Sequence, residues 1–173
     1  MTCIVGIVED GVIYIGGERG ISSEDLILSS PVSKVAVRND WIYGYAGTIG
    51  IGQLMDVINL PRAEGADFKT IKTKIVPALQ VAIENYSRDH SDHDTQWLIG
   101  ANHRLYEVSS ADWGVIEVDY TSIGGGSGYA LGSLYTSFMH RDAYSPETRI
   151  QLALHSAITL SPMCQGPVDI FSL

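Results

Sequence analysis

Thr2 lies directly after Met1, at the head of the apolar run CIVGIV. Removal of the initiator methionine is common before small residues, and it would leave Thr2 with a free α-amine beside its own hydroxyl. The hydroxyl is a weak nucleophile, whereas an α-amine has an ordinary pKa of about 7.7–8.0 and can accept a proton near neutrality. The pattern predicts a nucleophile that carries its own base. The alternative is a threonine with no catalytic role.

Two charged residues further along could support such a nucleophile. Lys34 occurs in PVSKVAV, and Glu18 in the run GGERG. A lysine beside the amine disfavours its protonation and stabilises a forming alkoxide, and a carboxylate beside the lysine keeps it charged and in place. The alternative for each residue is a solvated charge at the end of a strand.

Two glycine-containing turns complete the candidate set. Gly47, in GYAGT, could offer a backbone N–H to an oxyanion. The run GGGSG precedes a predicted helix, but it lacks the spacing and the Lys-Ser/Thr ending of a phosphate-binding loop. Ser127 in that run could instead bind the terminal amine.

Turn and periodicity patterns predict the elements that position these residues. Asp10-Gly11 and Asn39-Asp40 each separate two apolar runs, which is typical of hairpins. Helices are predicted from Thr48 to Pro61, from Phe68 to about Arg88 with a kink at Pro77, over YALGSLYTSFMH, and from a Ser145 cap to about Leu160. Further strands are predicted at QWLIGAN, RLYEVS, WGVIEVD and VDIFSL.

The predicted order is four strands, two helices, three strands, two helices and one strand. This order favours an α+β fold in which two face-to-face sheets lie between outer helices, a four-layer αββα sandwich. The length of 173 residues predicts a single domain, residues 1–173.

The composition argues against several classes of partner. The net charge of −9 argues against nucleic acid, because phosphates need clustered Lys and Arg. No apolar run reaches the roughly 20 residues of a membrane span, and no secretory leader is evident. Two cysteines predict a reducing cytoplasm rather than a disulfide framework. No cofactor is predicted.

Other candidates for chemistry remain open. Cys3 could act as a nucleophile only if Thr2 were also removed, and a buried strand thiol is the alternative. The run DHSDHD offers His90, His93 and three carboxylates that could hold a metal, but a solvated turn is the alternative, and no metal site is predicted.

At this point the sequence resembles a known family nearly from end to end. TCIVGIVEDGVIYIGGERG, VSKVAVRNDWIYGYAGTIGIGQLM, SIGGGSGYALGSLY and SPETRIQLALHSAI resemble segments of proteasome-type β subunits, which are N-terminal-nucleophile hydrolases, and the size is similar to that of the bacterial HslV-type peptidase. Once Thr2 is the first residue, Glu18 and Lys34 fall at the family's acidic and lysine positions without a gap. The opening also resembles phage and actinobacterial proteins, which implies a phage origin.

The resemblance implies a role for each residue of the set. Thr2 would be the nucleophile and base, Lys34 would tune the amine, Glu18 would hold Lys34, Ser127 would orient the amine, and Gly47 would supply the oxyanion N–H. The implied substrate is unfolded peptide, bound in a homo-oligomeric ring that an ATP-dependent unfoldase could serve. Pocket residues are expected at Gly20, Ile21, Pro31 and Ile49 to Gln53.

Three departures from the family pattern keep other functions open. Glu18 replaces the usual aspartate, the loop SPMCQGP lacks the late aspartate of archaeal and eukaryotic subunits, and a retained Met1 would block the amine. One alternative is a catalytically silent, ring-forming scaffold, such as a phage assembly or inhibitory factor. Another is an amidohydrolase that acts on a small molecule.

Overall fold

The protein, in a computed structural model that describes residues 2–23, 26–86 and 94–173, contains two sheets. Helices cover the outer face of each sheet. In chain order, the elements are β1 (Ile4–Glu9), β2 (Val12–Glu18), β3 (Gly20–Ser23), β4 (Leu26–Ser29), β5 (Val35–Arg38), β6 (Trp41–Gly47), α1 (Ile49–Gly52), α2 (Phe68–Thr70), α3 (Val76–Tyr86), β7 (Thr95–Ala101), β8 (Arg104–Ser109), β9 (Val115–Val118), β10 (Tyr120–Ile123), α4 (Ser127–Phe138), α5 (Pro146–Leu160) and β11 (Val168–Ser172).

Antiparallel pairing links the strands of each sheet. One sheet has the order β10-β1-β2-β11, and the other has the order β5-β6-β7-β8-β9. Strands β3 and β4 form a separate hairpin that continues from the end of β2. The hairpin therefore lies at the end of the first sheet at which β2 finishes with Glu18.

Three apolar clusters hold the layers together. The cluster between the sheets contains Ile4, Ile15 and Leu98, all fully buried. A second joins β1 to α4 and α5, and a third joins β6, β7 and β8 to α1 and α3. This arrangement is the predicted four-layer αββα sandwich, and the α+β fold class is confirmed.

The predicted hairpin turns are also confirmed. Asp10 and Gly11 have φ values of 51° and 78°, and Asn39 and Asp40 have φ values of 53° and 60°. Positive φ at both central residues is the conformation that suits the twist of a two-residue hairpin, and Asn, Asp and Gly tolerate it best. These two turns fix the register of the strands that carry Glu18 and Gly47.

Several predicted boundaries were wrong. The helix expected from Thr48 to Pro61 is only α1 followed by a 3₁₀ turn, Gln53–Asp56, so it ends before the proline rather than at it. Strands β3, β4 and β10 were not predicted, because each is only four residues long and therefore too short to show a clear alternation of apolar and polar side chains.

The predicted kink at Pro77 takes the form of a π turn over Ile71–Ile75. The backbone N–H of Val76 donates to the carbonyl of Ile71, five residues earlier. Pro77 has no N–H and its ring crowds the preceding turn, which accounts for the local widening of the helix. The predicted end of this helix at Arg88 lies outside the described residues.

Helix α5 begins as predicted. The Ser145 hydroxyl accepts a hydrogen bond from the Thr148 N–H, and Pro146 is the first helical residue. In the ranges that the structure describes, none of the helices has the length and apolar character needed to cross a membrane.

Candidate active site

Thr2, Lys34 and Glu18 meet at one end of the two sheets. Thr2 lies two residues before the start of β1 at Ile4, Glu18 ends β2, and Lys34 immediately precedes β5. All three are buried, with relative exposures of 6%, 5% and 0%. The three residues predicted from sequence as nucleophile, lysine and carboxylate are therefore neighbours in the fold.

The Lys34 ammonium group uses all of its donors at this site. Its Nζ atom donates to Thr2 Oγ1 at 2.7 Å, to Glu18 Oε1 at 2.9 Å, and to the carbonyl of Gly20. A charged lysine has three N–H donors and no acceptor. The three acceptors therefore match a charged Lys34, which can stabilise negative charge on Oγ1 but has no lone pair with which to take its proton.

The Glu18 carboxylate is held by four donors from four segments of the chain. Oε1 accepts from Lys34 and from the Cys3 N–H at 3.2 Å, and Oε2 accepts from the N–H groups of Gly20 at 2.6 Å and Gln165 at 3.1 Å. A carboxylate has about four lone-pair sites, so the group is fully satisfied in its ionised form. The longer side chain of glutamate thus reaches Lys34 and is firmly fixed there.

The glycine-rich turn holds the backbone of Thr2. The Gly126 N–H donates to the Thr2 carbonyl at 3.3 Å, and a Cβ at Gly124, where φ is 88°, would overlap that same carbonyl. Ser127 is the first residue of α4, and its N–H donates to the Gly124 carbonyl at 3.0 Å. The close approach of the turn explains why glycines precede the helix here.

Gly47 lies at the exposed end of β6, beside Thr2. Its φ is 116°, and a Cβ at this position would overlap the Asp94 carbonyl and lie 2.8 Å from the Cα of Thr95. Both the conformation and the contact require glycine. Gly47 lines both of the cavities that adjoin Thr2.

These two cavities, named here the Lys34 cavity and the Asp94 cavity, share Thr2, Gly47 and Thr48. The Lys34 cavity is about 370 Å³ and is also lined by Gly20, Ile21, Lys34, Ile49 and Gly50. The Asp94 cavity is about 470 Å³ and is also lined by Ala46, Asp94, Gln96, Gly124 and Gly125. Thr2 therefore has open space on two sides.

Some predicted pocket residues lie elsewhere. Gly20, Ile21 and Ile49 line the Lys34 cavity as predicted, whereas Gln53 and Pro31 are not among the described residues that line either cavity. The Gln53 side chain bonds Tyr45, and the Pro31 carbonyl accepts from Arg19 at 3.3 Å.

Sequence reasoning missed four contributors to the site. Thr48, Asp94 and Gln96 line the cavities, and Gln165 donates its backbone N–H to Glu18. Thr48, Gln165 and Asp94 lie in stretches that the sequence had already singled out, GYAGT, SPMCQGP and DHSDHD, the last of these as a possible metal site. Asp94 immediately precedes β7 and Gln96 lies in β7, and no local pattern connects this strand with Thr2.

The two cysteines are buried and have no catalytic geometry. Burial raises the pKa of the Cys3 thiol to about 12, and it also raises the pKa of Cys164. A protonated, buried thiol is unreactive. The described part of the chain contains no cluster of three potential metal ligands, and most of the DHSDHD run, including His90 and His93, lies outside that part.

The architecture and the position of the site define the fold of the proteasome-type and HslV-type N-terminal-nucleophile hydrolases, as the sequence resemblance predicted. The chain is similar to BPH of Thiobacillus denitrificans in complex with epoxomicin, with a TM-score of 0.82 and 18% identity over 99% of this chain and 98% of that chain. A further BPH structure gives a TM-score of 0.75 at 18% identity, over 99% of this chain and 97% of that one.

HslV from Trypanosoma brucei gives a TM-score of 0.73 at 17% identity, over 99% of both chains. No protein-family model matches the sequence, and no curated protein does. At these identities the similarity shows the fold, and the activity has to be argued from the site.

Proposed function

We propose that this protein is a threonine-type peptidase in which Thr2, freed by removal of Met1, is the nucleophile. The hydrogen bond from Lys34 Nζ to Thr2 Oγ1 carries the proposal, because it is made by a lysine whose three donors all have acceptors. Such a lysine stabilises an alkoxide and leaves the proton of the hydroxyl to another base. The α-amine of Thr2 is the base that the chain itself provides.

The acylation step follows from this division of roles. The α-amine takes the hydroxyl proton as Oγ1 bonds to the substrate carbonyl carbon, and the carbonyl oxygen becomes an oxyanion. In this proposal the Gly47 N–H stabilises that oxyanion, and Ser127 orients the amine. The C–N bond of the substrate then breaks, and the protonated α-amine of Thr2 gives its proton to the leaving amine.

Hydrolysis of the ester restores the enzyme. A water molecule gives a proton to the α-amine as its oxygen bonds to the acyl carbon. The bond between that carbon and Oγ1 breaks, Oγ1 recovers a proton from the ammonium, and the carboxylic acid leaves. Glu18 and Lys34 take no proton at any step, which agrees with their full complement of hydrogen bonds.

The acyl part of the substrate would lie in the Lys34 cavity as an added strand. Within the described residues β3 pairs only with β4, and its residues Gly20 and Ile21 line this cavity, so the edge of β3 opposite β4 is the proposed place for an extended peptide. The N–H and carbonyl of Gly20 already bond Glu18 and Lys34, so the peptide would pair with β3 beyond Gly20, while Ile49 also lines the cavity. Unfolded peptide is therefore the proposed substrate class.

Assembly into a ring of identical copies is also part of the proposal. Helix α4 has no charged residue, and its Leu131, Tyr135 and Met139, the last one residue beyond it, are exposed at 41%, 59% and 66%. Such an apolar surface is typical of an interface between subunits. An ATP-dependent unfoldase would then deliver the substrate, as the family resemblance implies.

The test begins with the intact mass of the purified protein and the cleavage of fluorogenic peptides. We expect a chain that starts at Thr2, and we expect Thr2→Ala to abolish cleavage while Thr73→Ala, an exposed helical control, cleaves normally. An epoxyketone probe followed by peptide mapping should label Thr2. Equal cleavage by Thr2→Ala and its parent would refute the proposal.

The same measurements separate the two alternatives. A uniform chain that retains Met1 and binds no probe would favour the silent scaffold. A processed, probe-reactive chain that cleaves no peptide but hydrolyses small amides would favour the amidohydrolase.

A further inference from the structure

The Asp94 cavity has no role in the steps above, although it touches the nucleophile. It contains about 470 Å³, more than the cavity assigned to the acyl part. Thr2, Gly47 and Thr48 line both, so a substrate whose carbonyl carbon lies at Oγ1 extends into one cavity on each side of the scissile bond. One of the two must therefore receive the leaving group.

The backbone hydrogen bonds around each cavity indicate which of the two receives the leaving group. Strand β3 supplies a strand edge to the Lys34 cavity, where an acyl chain must stay bound until water arrives. On the other side, the β6–β7 ladder aligns Ala46 with Gln96 and Gly47 with Thr95, and the side-chain carbonyl of Gln96 accepts from the Gly124 N–H at 3.2 Å. The wall of the Asp94 cavity is thus built from groups already paired with one another, which suits a transient leaving group.

The lining of this cavity carries side-chain charge of one sign only. Of the eight described residues that line it, Asp94 has the only charged side chain, and it is exposed. Asp94 also packs directly against Gly47, since a Cβ at Gly47 would overlap the Asp94 carbonyl. A single carboxylate next to the oxyanion glycine favours a cation on the leaving side.

We infer that the Asp94 cavity is the leaving-group subsite and that Asp94 selects peptides with a lysine or arginine directly after the scissile bond. This inference rests on the proposed peptidase function. The effect is modest because the carboxylate is exposed to water: one exposed ion pair corresponds to about a fivefold preference in kcat/KM. It also declines between about 0.05 and 0.5 M salt, because ions screen an exposed pair.

Three peptides that differ only at this position test the inference. They carry lysine, norleucine or glutamate after the scissile bond; norleucine has a similar chain length without the charge. We expect the parent to cleave the lysine peptide about five times faster than the norleucine peptide, and the glutamate peptide slowest. In Asp94→Asn, the lysine-to-norleucine ratio should fall to about one.

Asp119→Asn is the matched control, because Asp119 is exposed and outside both cavities, and it should keep the parental ratio. Fluorescence anisotropy can measure the binding of the same peptides to Thr2→Ala, which does not turn them over. The lysine peptide should bind more tightly than the norleucine peptide, and the glutamate peptide most weakly. A ratio near one in the parent, or an unchanged ratio in Asp94→Asn, overturns the inference while leaving peptide cleavage intact. If nothing is cleaved, the proposed function fails, and equal or absent binding then overturns the subsite as well.

Discussion

Lys34 Nζ lies 2.7 Å from Thr2 Oγ1, although the two residues are 32 positions apart in the chain. The contact exists because Thr2 leads into β1 while Lys34 leads into β5 of the other sheet, and the two sheets end at the same edge. Thr2 and the cation that contacts it are thus supplied by different sheets. The alignment of the sheets therefore sets the geometry of the site.

Replacing Lys34 by methionine removes the ammonium while keeping much of the side-chain volume. We expect the rate of peptide cleavage to fall by at least about 100-fold, as for the loss of a single donor to a developing oxyanion. Lys74→Met, an exposed position on the π turn, should cleave at the parental rate. Steady-state cleavage, with circular dichroism to check folding, measures both, and a Lys34→Met enzyme within tenfold of its parent would contradict the assigned role.

Glu18→Gln should affect stability as well as activity. The substitution leaves the buried Lys34 without its counter-ion and turns an amide NH₂ toward donors that now need an acceptor. Breaking a buried pair in this way costs about 3–5 kcal/mol of unfolding free energy. Urea unfolding should show this loss, whereas Glu64→Gln, an exposed control, should stay within about 0.5 kcal/mol of the parent.

Glycine-to-alanine substitutions at Gly47 and Gly132 should have opposite effects on stability. Gly47 has a positive φ and would place its new Cβ against the Asp94 carbonyl, so we expect a loss of more than about 1 kcal/mol together with lost cleavage. Gly132 lies inside α4 with no atom within 4 Å of an added Cβ. Alanine there should stabilise the isolated chain by about 0.5–1 kcal/mol. Chemical denaturation of both variants would show whether the signs differ.

Acid should weaken the link between β2 and β11. The Arg19 side chain donates to both carboxylate oxygens of Asp169, at 2.7 and 2.5 Å, and this holds the pKa of Asp169 below its ordinary value of 3.8. The pair therefore contributes its full stability above about pH 5, and the contribution is lost as the pH falls through 3.8 toward the lower folded-state pKa. Asp169→Asn should unfold with a flatter pH dependence below pH 5, which thermal melts across pH 2–6 can measure. An unchanged slope would mean that the pair does not stabilise the fold.

Local patterns were sufficient for the parts of the fold that depend on neighbouring residues. The hairpins at Asp10-Gly11 and Asn39-Asp40 follow from residues that tolerate positive φ, and the start of α5 follows from the Ser145 cap and Pro146. Strands as short as β3 and β10 have too few alternating positions to show a period of two.

Some residues of the candidate site could likewise be predicted from residue type, whereas others depend on tertiary contacts. Thr2, Glu18 and Lys34 could be named because a nucleophile, a cation and a carboxylate are chemically informative residue types. The place of Asp94 and Gln165 in the site could not be predicted, because it depends on tertiary contacts: the wall of a cavity for Asp94, which the sequence offered only as part of a metal-binding run, and a backbone N–H for Gln165. A backbone donor has no residue-type signature at all.

The four donors to Glu18 also bear on how the protein matures. Three come from residues 3–34, whereas the Gln165 N–H comes from a residue 147 positions after Glu18 and is synthesised after the other three. A nascent chain that has not yet reached Gln165 lacks one of the four anchors of the carboxylate that positions Lys34. The carboxylate is therefore fully anchored only once Gln165 has been synthesised and has folded against Glu18, so a threonine nucleophile of the kind proposed above would be completed late in synthesis.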